Sequence, residues 1–152
     1  LPEAKIQDDS MLIPGTNGGK MSKSANNIIN IFLDDKSLRK QVMSIETDST
    51  PLEDPKNPDT CNAFAIYSLL ANDEQIAAMK TNYLGGNYGY GHAKQALFEL
   101  ICEKFKTERK QYSYYMNNLT EVDALLKIGA QKASVVANGV LARVREKLGF
   151  EV

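Results

Sequence analysis

The feature that most constrains this chain is a run in which Ala93, Ala96, Leu97, Leu100, Ile101 and Phe105 recur three and four residues apart. That period puts all six on one side of an α-helix, and such a stripe is stable only when other elements cover it. The flanking sequence supplies them. Asp34-Asp35 offers N-cap oxygens to a helix with Leu38, Val42 and Ile45 on one face. Thr47 to Pro58 reads as a loop broken by Pro51, Pro55 and Pro58, and a helix is expected from about Asp59 to Leu70, carrying Ala63, Ile66, Tyr67 and Leu70. Asn72 with Gln75 forms a capping box that opens a helix with Ile76 and Met79 inward, and Gly85-Gly86 ends it. Tyr88-Gly89-Tyr90-Gly91 is a turn feeding the long run, which Tyr112, Tyr114 and Tyr115 extend. Thr120 with Asp123 caps a last helix with Val122, Leu125, Leu126, Ala133, Val136, Val140 and Val144 on its apolar face, stopping near Gly149. Short connections make consecutive helices antiparallel neighbours, so residues 34–152 are expected to form an α-helical bundle.

Residues 1–33 follow a different rule. They hold short apolar runs between Pro and Gly, too little to build a core, and read as the C-terminal edge of an α/β domain of the nucleotide-binding, Rossmann type. Leu12-Ile13-Pro14-Gly15 is expected to be the end of a short buried strand, and sheets of that type bind ligands at strand ends. Next comes Gly18-Gly19-Lys20-Met21-Ser22-Lys23-Ser24. Two lysines three positions apart, with hydroxyls beside them and glycines in front as hinges, can place two cations on one polyphosphate. A P-loop is excluded, because Lys20 stands where the second glycine after Gly15 would be and Met21 follows the lysine in place of a hydroxyl.

The formal net charge of −1 argues against a generic polyanion binder, so contact with nucleic acid must come from placed groups. Cys61 and Cys102 lie far apart without a Cys-x-x-Cys, which points to reduced thiols and not to a zinc or redox site. No apolar run approaches the length of a membrane span, and a cytoplasmic protein without membrane contact is expected. With no initiator methionine at Leu1, the chain reads as a piece of a longer polypeptide.

Lys20-Met21-Ser22-Lys23-Ser24 resembles the signature loop of class I aminoacyl-tRNA synthetases. Further matches follow in order: Leu1-Pro2-Glu3-Ala4, Ile13-Pro14-Gly15, Asn27-Ile28-Ile29, Thr47-Asp48, Gly89-Tyr90-Gly91 with Lys94, and Gly129-Ala130 with Lys132-Ala133. Together they are similar to the tryptophanyl-tRNA synthetases over nearly the whole chain, with Ser134 departing from a position that is often basic. The resemblance implies a mainly α fold with two parts. Residues 1–33 would be the remnant of the catalytic domain with its ATP-closing loop, and 34–152 a helical domain for the tRNA anticodon. It implies that Gly19, Lys20, Met21, Ser22, Lys23 and Ser24 bind ATP and that Lys20 and Lys23 are catalytic. Mg2+ would arrive with ATP, with no metal site in the chain. It further implies tryptophan and tRNA(Trp) as partners and a homodimer formed through the missing catalytic domain. Losing one such lysine should cost about 100- to 1000-fold in rate, or roughly 3 to 4 kcal/mol.

Other residues are ambiguous. His92 is the sole histidine; Gly91-His92 supplies only the end of a His-x-Gly-His motif, downstream of where the family carries it, so a helix-start histidine without catalytic duty is expected. The basic clusters around Lys104–Lys110 and Lys127–Lys147 read chiefly as solvated helix faces paired with Glu99, Glu103, Glu108 and Glu146. Tyr88, Tyr90, Lys94 and Lys132 are candidates for RNA, since unpaired bases stack on aromatics beside cations. Two other classes remain open: a non-catalytic tRNA-binding module, and a helical protein-interaction module.

Overall fold

The computed structural model describes residues 12–150, which are mainly α-helical. The chain forms two compact units divided between Arg109 and Lys110.

The first unit holds the lysine loop and four helices: α1 (Asp35–Met43), α2 (Asn62–Leu70), α3 (Asp73–Gly85) and α4 (Tyr90–Lys104). Asp34 accepts from the Ser37 N–H at 3.0 Å, which caps α1 as its sequence demands and holds the Asp34 carboxyl below its ordinary range. The box at α3 closes both ways, Gln75 N–H to Asn72 Oδ1 at 2.9 Å and Asn72 N–H to Gln75 Oε1 at 3.0 Å. Helix α4 is the centre of this unit, packing against α1 and α2. Its stripe of Ala93, Leu97 and Ile101 is buried with Leu38 and Val42 of α1, Phe64 and Ile66 of α2, and Met79 and Tyr83 of α3. Tyr83 has no exposed surface. Its ring meets Phe64, Tyr88 and Tyr90 at centroid distances of 5.5, 5.9 and 6.1 Å, and its hydroxyl pairs with Cys61 Sγ at 3.3 Å. Burial drives that phenol far above its usual pKa.

Some expectations change. The segment from Asp59 is not one helix: a 3-10 turn covers Pro58–Thr60, extended Cys61 breaks it, and α2 begins at Asn62. Asn57 takes the Asp59 N–H at 3.0 Å, and Pro58 fits the first turn because it has no N–H to satisfy. Leu12–Gly15 is not a buried strand. Pro14 makes one isolated bridge with Lys20, and Leu12 and Ile13 are exposed.

Helix α5 (Lys106–Asn117) crosses the boundary between units, and Phe105 ends α4 before it, so the tyrosine-bearing stretch is a separate helix. In the second unit, α6 (Leu119–Lys147) is the long final helix. It starts at Leu119, with Asn118 and not Thr120 in the cap position, because the Asn118 carbonyl already accepts from the N–H groups of Glu121 and Val122. Tyr114 donates to Glu121 Oε2 at 2.7 Å across this junction. Within the second unit nothing covers the expected apolar face of α6: Leu125, Leu126, Val136, Val140 and Val144 are all exposed. Among the described residues no helix is long and apolar enough to cross a membrane.

Candidate functional site

The lysine loop is a small hydrogen-bonded hairpin. Gly18 N–H turns back to the Gly15 carbonyl at 3.0 Å, Gly15 N–H reaches Gly19 O at 2.7 Å, and Met21 N–H reaches Ile13 O at 2.8 Å. Gly18 has φ of +75°, a conformation that suits glycine, and a Cβ there would sit 2.5 Å from Asn62 Oδ1. Asn62 is in turn fixed by donating to Glu46 O at 3.1 Å, which ties the loop to the start of α2. Of the two glycines expected as hinges, Gly18 is therefore a turn residue fitted against a helix end, whereas a Cβ on Gly19 would meet only Asn17.

Inside the hairpin lies Asn27, only 3% exposed. Its Oδ1 accepts from Ser22 N–H at 2.8 Å, while Nδ2 donates to Asn17 Oδ1 at 2.7 Å and to Lys20 O at 3.1 Å. Its carbonyl accepts from Thr16 N–H at 2.9 Å. Outside, Lys20 and Lys23 are exposed, and the Ser22 and Ser24 hydroxyls pair at 2.8 Å. Gly19 N–H is taken by Asn17 Oδ1 at 3.1 Å. Met21 lines an apolar cleft of about 300 Å³ with Ile29, Ile31, Ile66, Ile101 and Phe105. Two cations and two hydroxyls thus face outward from a backbone fastened within, an arrangement able to receive a polyphosphate.

The candidates for RNA are placed differently. Tyr90 donates to Asp48 Oδ1 at 2.7 Å, joining the start of α4 to the proline-rich loop. Burial, then the bond to Asp48, pushes the Tyr90 phenol up to about 12, whereas the bonds from Thr50 and Tyr90 hold the Asp48 carboxyl low. Lys94 donates to the Met43 carbonyl at the end of α1 at 3.2 Å, and burial lowers its pKa. Tyr88 is half-buried, its ring 5.6 Å from that of His92, which is exposed beside an open depression with Arg39 and Gln95. Lys132 is exposed on α6 in the second unit.

Three residues with structural duties were not read from the sequence. Asn27 is one. Lys56 is 2% exposed, and its ammonium donates to the carbonyls of Pro51, Leu52 and Asp54 at 2.8, 3.3 and 3.1 Å, 5.4 Å from the Tyr90 ring centroid. Arg109, read as part of a solvated basic face, instead binds the Ile31 carbonyl at 2.8 Å and the Asp35 carboxylate. The expected surface pairing does occur between Lys106 and Glu103 at 3.9 Å. No sequence signal marks Lys56, because every residue carries a backbone carbonyl and only the fold gathers those of Pro51, Leu52 and Asp54 around one ammonium.

The family of class I tRNA synthetases for tryptophan and tyrosine (W and Y) matches residues 2–106. A tryptophan–tRNA ligase of Fusobacterium nucleatum is 47% identical over 150 residues, covering 99% of this chain and 46% of that protein. One of Campylobacter jejuni is 40% identical, with 99% and 47% covered. The crystal structure of tryptophanyl-tRNA synthetase from Campylobacter jejuni complexed with ADP and tryptophan superposes with a TM-score of 0.91 at 39% identity, over 99% of this chain and 47% of that one. The chain thus spans about half the length of the curated relatives it matches. Its helical architecture, its lysine loop and these matches agree, and the chain belongs to the class I tRNA synthetase family of tryptophan and tyrosine.

Proposed function

We propose that this chain is the C-terminal part of a tryptophan–tRNA ligase, supplying the ATP-closing loop and an anticodon-binding helical domain. The observation that carries the reading is the loop itself, in which Lys20 and Lys23 are exposed to solvent while Asn27 holds the backbone from inside and Met21 faces an apolar cleft. In the parent enzyme a carboxylate oxygen of tryptophan bonds to the α-phosphorus of ATP as the bond to the pyrophosphate oxygen breaks. Negative charge gathers on the departing group. Cations that tighten on it in the transition state lower the barrier without any proton transfer. Lys20 and Lys23 fill that role, with Ser22 and Ser24 as hydroxyl donors and Gly19, next to Lys20, letting the backbone approach the phosphates. Met21 keeps the loop seated. The adenylate then passes its acyl group to a ribose hydroxyl of tRNA(Trp), and AMP leaves.

Mg2+ would enter as the companion of ATP; among the described residues no group of three or more His, Cys, Asp or Glu side chains could hold a metal. For the tRNA, half-buried Tyr88 offers a ring face to an unpaired base, and exposed Lys132 offers a phosphate contact. Tyr90 and Lys94 would act chiefly by shaping that surface, since their polar ends are engaged within the chain. We place the parent in the cytoplasm as a homodimer assembled through its catalytic domain.

The test is Lys23→Ala in the full-length enzyme. Adenylate formation should fall about 100- to 1000-fold while tryptophan affinity stays near wild type, because the contact is made mainly to charge that develops in the transition state. An unchanged rate with weakened tryptophan binding would reassign the loop to another substrate. An unchanged rate and affinity would favour the non-catalytic module.

A further inference from the structure

We infer that Asn27 is the positioning residue of the lysine loop, holding Lys20 and Ser22 in the geometry from which Lys20 and Lys23 meet the phosphates. The inference rests on the ATP reading above. Asn27 and Lys56 are the buried polar residues among those described, and only Asn27 lies within the loop. The orientation of its amide is fixed by partners that cannot exchange roles. A backbone N–H only donates and a carbonyl only accepts, so Oδ1 must face Ser22 and Nδ2 must face Lys20. The remaining amide hydrogen goes to Asn17, whose Oδ1 also holds the Gly19 N–H. One planar group therefore joins the hairpin turn to the residues on both sides of Met21.

The turn is built around that amide. A Cβ on Gly15 would lie 2.3 Å from Asn27 Nδ2 and 2.7 Å from Asn27 O, so a bare backbone is needed at this approach. Alanine at position 27 would leave the Ser22 N–H and the Lys20 carbonyl without their partner. Aspartate would keep the acceptor but lose both donors. Asn27 lies beneath the loop and acts through the lysines, not on ATP.

The experiment uses the full-length enzyme and measures tryptophan-dependent ATP–pyrophosphate exchange beside equilibrium tryptophan binding. Asn27→Ala should lower the exchange rate about 100-fold, the scale of a catalytic group misplaced by an ångström, with tryptophan affinity kept within about twofold. Combining it with Lys20→Ala should slow the enzyme by clearly less than the product of the two single losses, because one of the two lysines that Asn27 positions is already gone. A purely structural role would multiply the two losses. Asn17→Ala, which removes one of the three amide partners, should lose about tenfold and show the same lack of additivity with Lys20→Ala. It decides the matter if Asn27→Ala does not fold. Wild-type exchange in Asn27→Ala, or in Asn17→Ala when that variant must stand in for it, overturns the inference, as do multiplicative losses. A slow Lys20→Ala beside a full-rate Asn27→Ala overturns the positioning role and leaves the ATP reading standing. A full-rate Lys20→Ala overturns the reading itself, and the inference with it.

Discussion

Gly18 shows how much a single position in the loop carries. Its φ of +75° lies where a side chain is strained, and a Cβ would also press on Asn62, which is held by Glu46 O. Gly18→Ala should lower stability by about 1–3 kcal/mol, read as a shift in the urea midpoint. A midpoint equal to wild type would mean that the turn re-forms freely. The two lysines and their hydroxyls could be read directly, because their value lies in composition and spacing, which a sequence displays. Asn27 and Lys56 could not. A polar residue in a loop looks solvated in one dimension, and burial becomes tolerable only once the fold brings carbonyls and N–H groups around it. The duty of Arg109 is hidden for the same reason, its partners Ile31 and Asp35 being far away in sequence.

At the scale of elements, the apolar periods located α1, α3 and α4 well, since each has a cap or a stripe strong enough to survive its context. The start of α2 was displaced because Asn57 and Pro58 close a turn of their own first. The join between the proline-rich loop and α4 was invisible to periodicity. It consists of the Tyr90–Asp48 bond, and its two groups set opposite pH limits. The Asp48 carboxyl is held low, so its contribution is complete above its unfolded value of about 4 and is lost as the pH falls through the folded value. Tyr90 is held up at about 12, so its contribution is complete below the ordinary phenol value near 10 and is lost as the pH rises toward 12. Denaturant melts of Tyr90→Phe across pH should therefore show shallower losses at both extremes than wild type. The alkaline slope should not vanish, because Tyr67, Tyr83 and Tyr88 are also raised by burial. Superimposable curves for the two proteins would remove the bond from the account.

For the molecule as a whole, the 152-residue chain by itself should show no tryptophan-dependent ATP–pyrophosphate exchange. Two lysines on a loop lack the positioning of both reactants that supplies much of an enzyme's rate, about 7–11 kcal/mol in favourable cases. Measurable exchange by the isolated chain would contradict this. Binding is a separate matter. With a net charge of −1, attraction to phosphate should be weak; on the proposed anticodon reading, residues 34–152 should therefore prefer an anticodon stem-loop carrying CCA over a scrambled loop, with a shallow salt dependence. Equal affinity and a steep salt slope would reveal an unspecific basic surface, and binding to neither loop would favour a protein-interaction module. Helix α6 has a further consequence for such experiments. Leu125, Leu126, Val136, Val140 and Val144 meet water along its length. To the quality-control machinery of a cell, a helix in that condition is indistinguishable from unfinished folding. Produced alone, this chain should be held by chaperones, cleared by proteases and prone to self-association, so its supply would have to be matched to whatever covers that face.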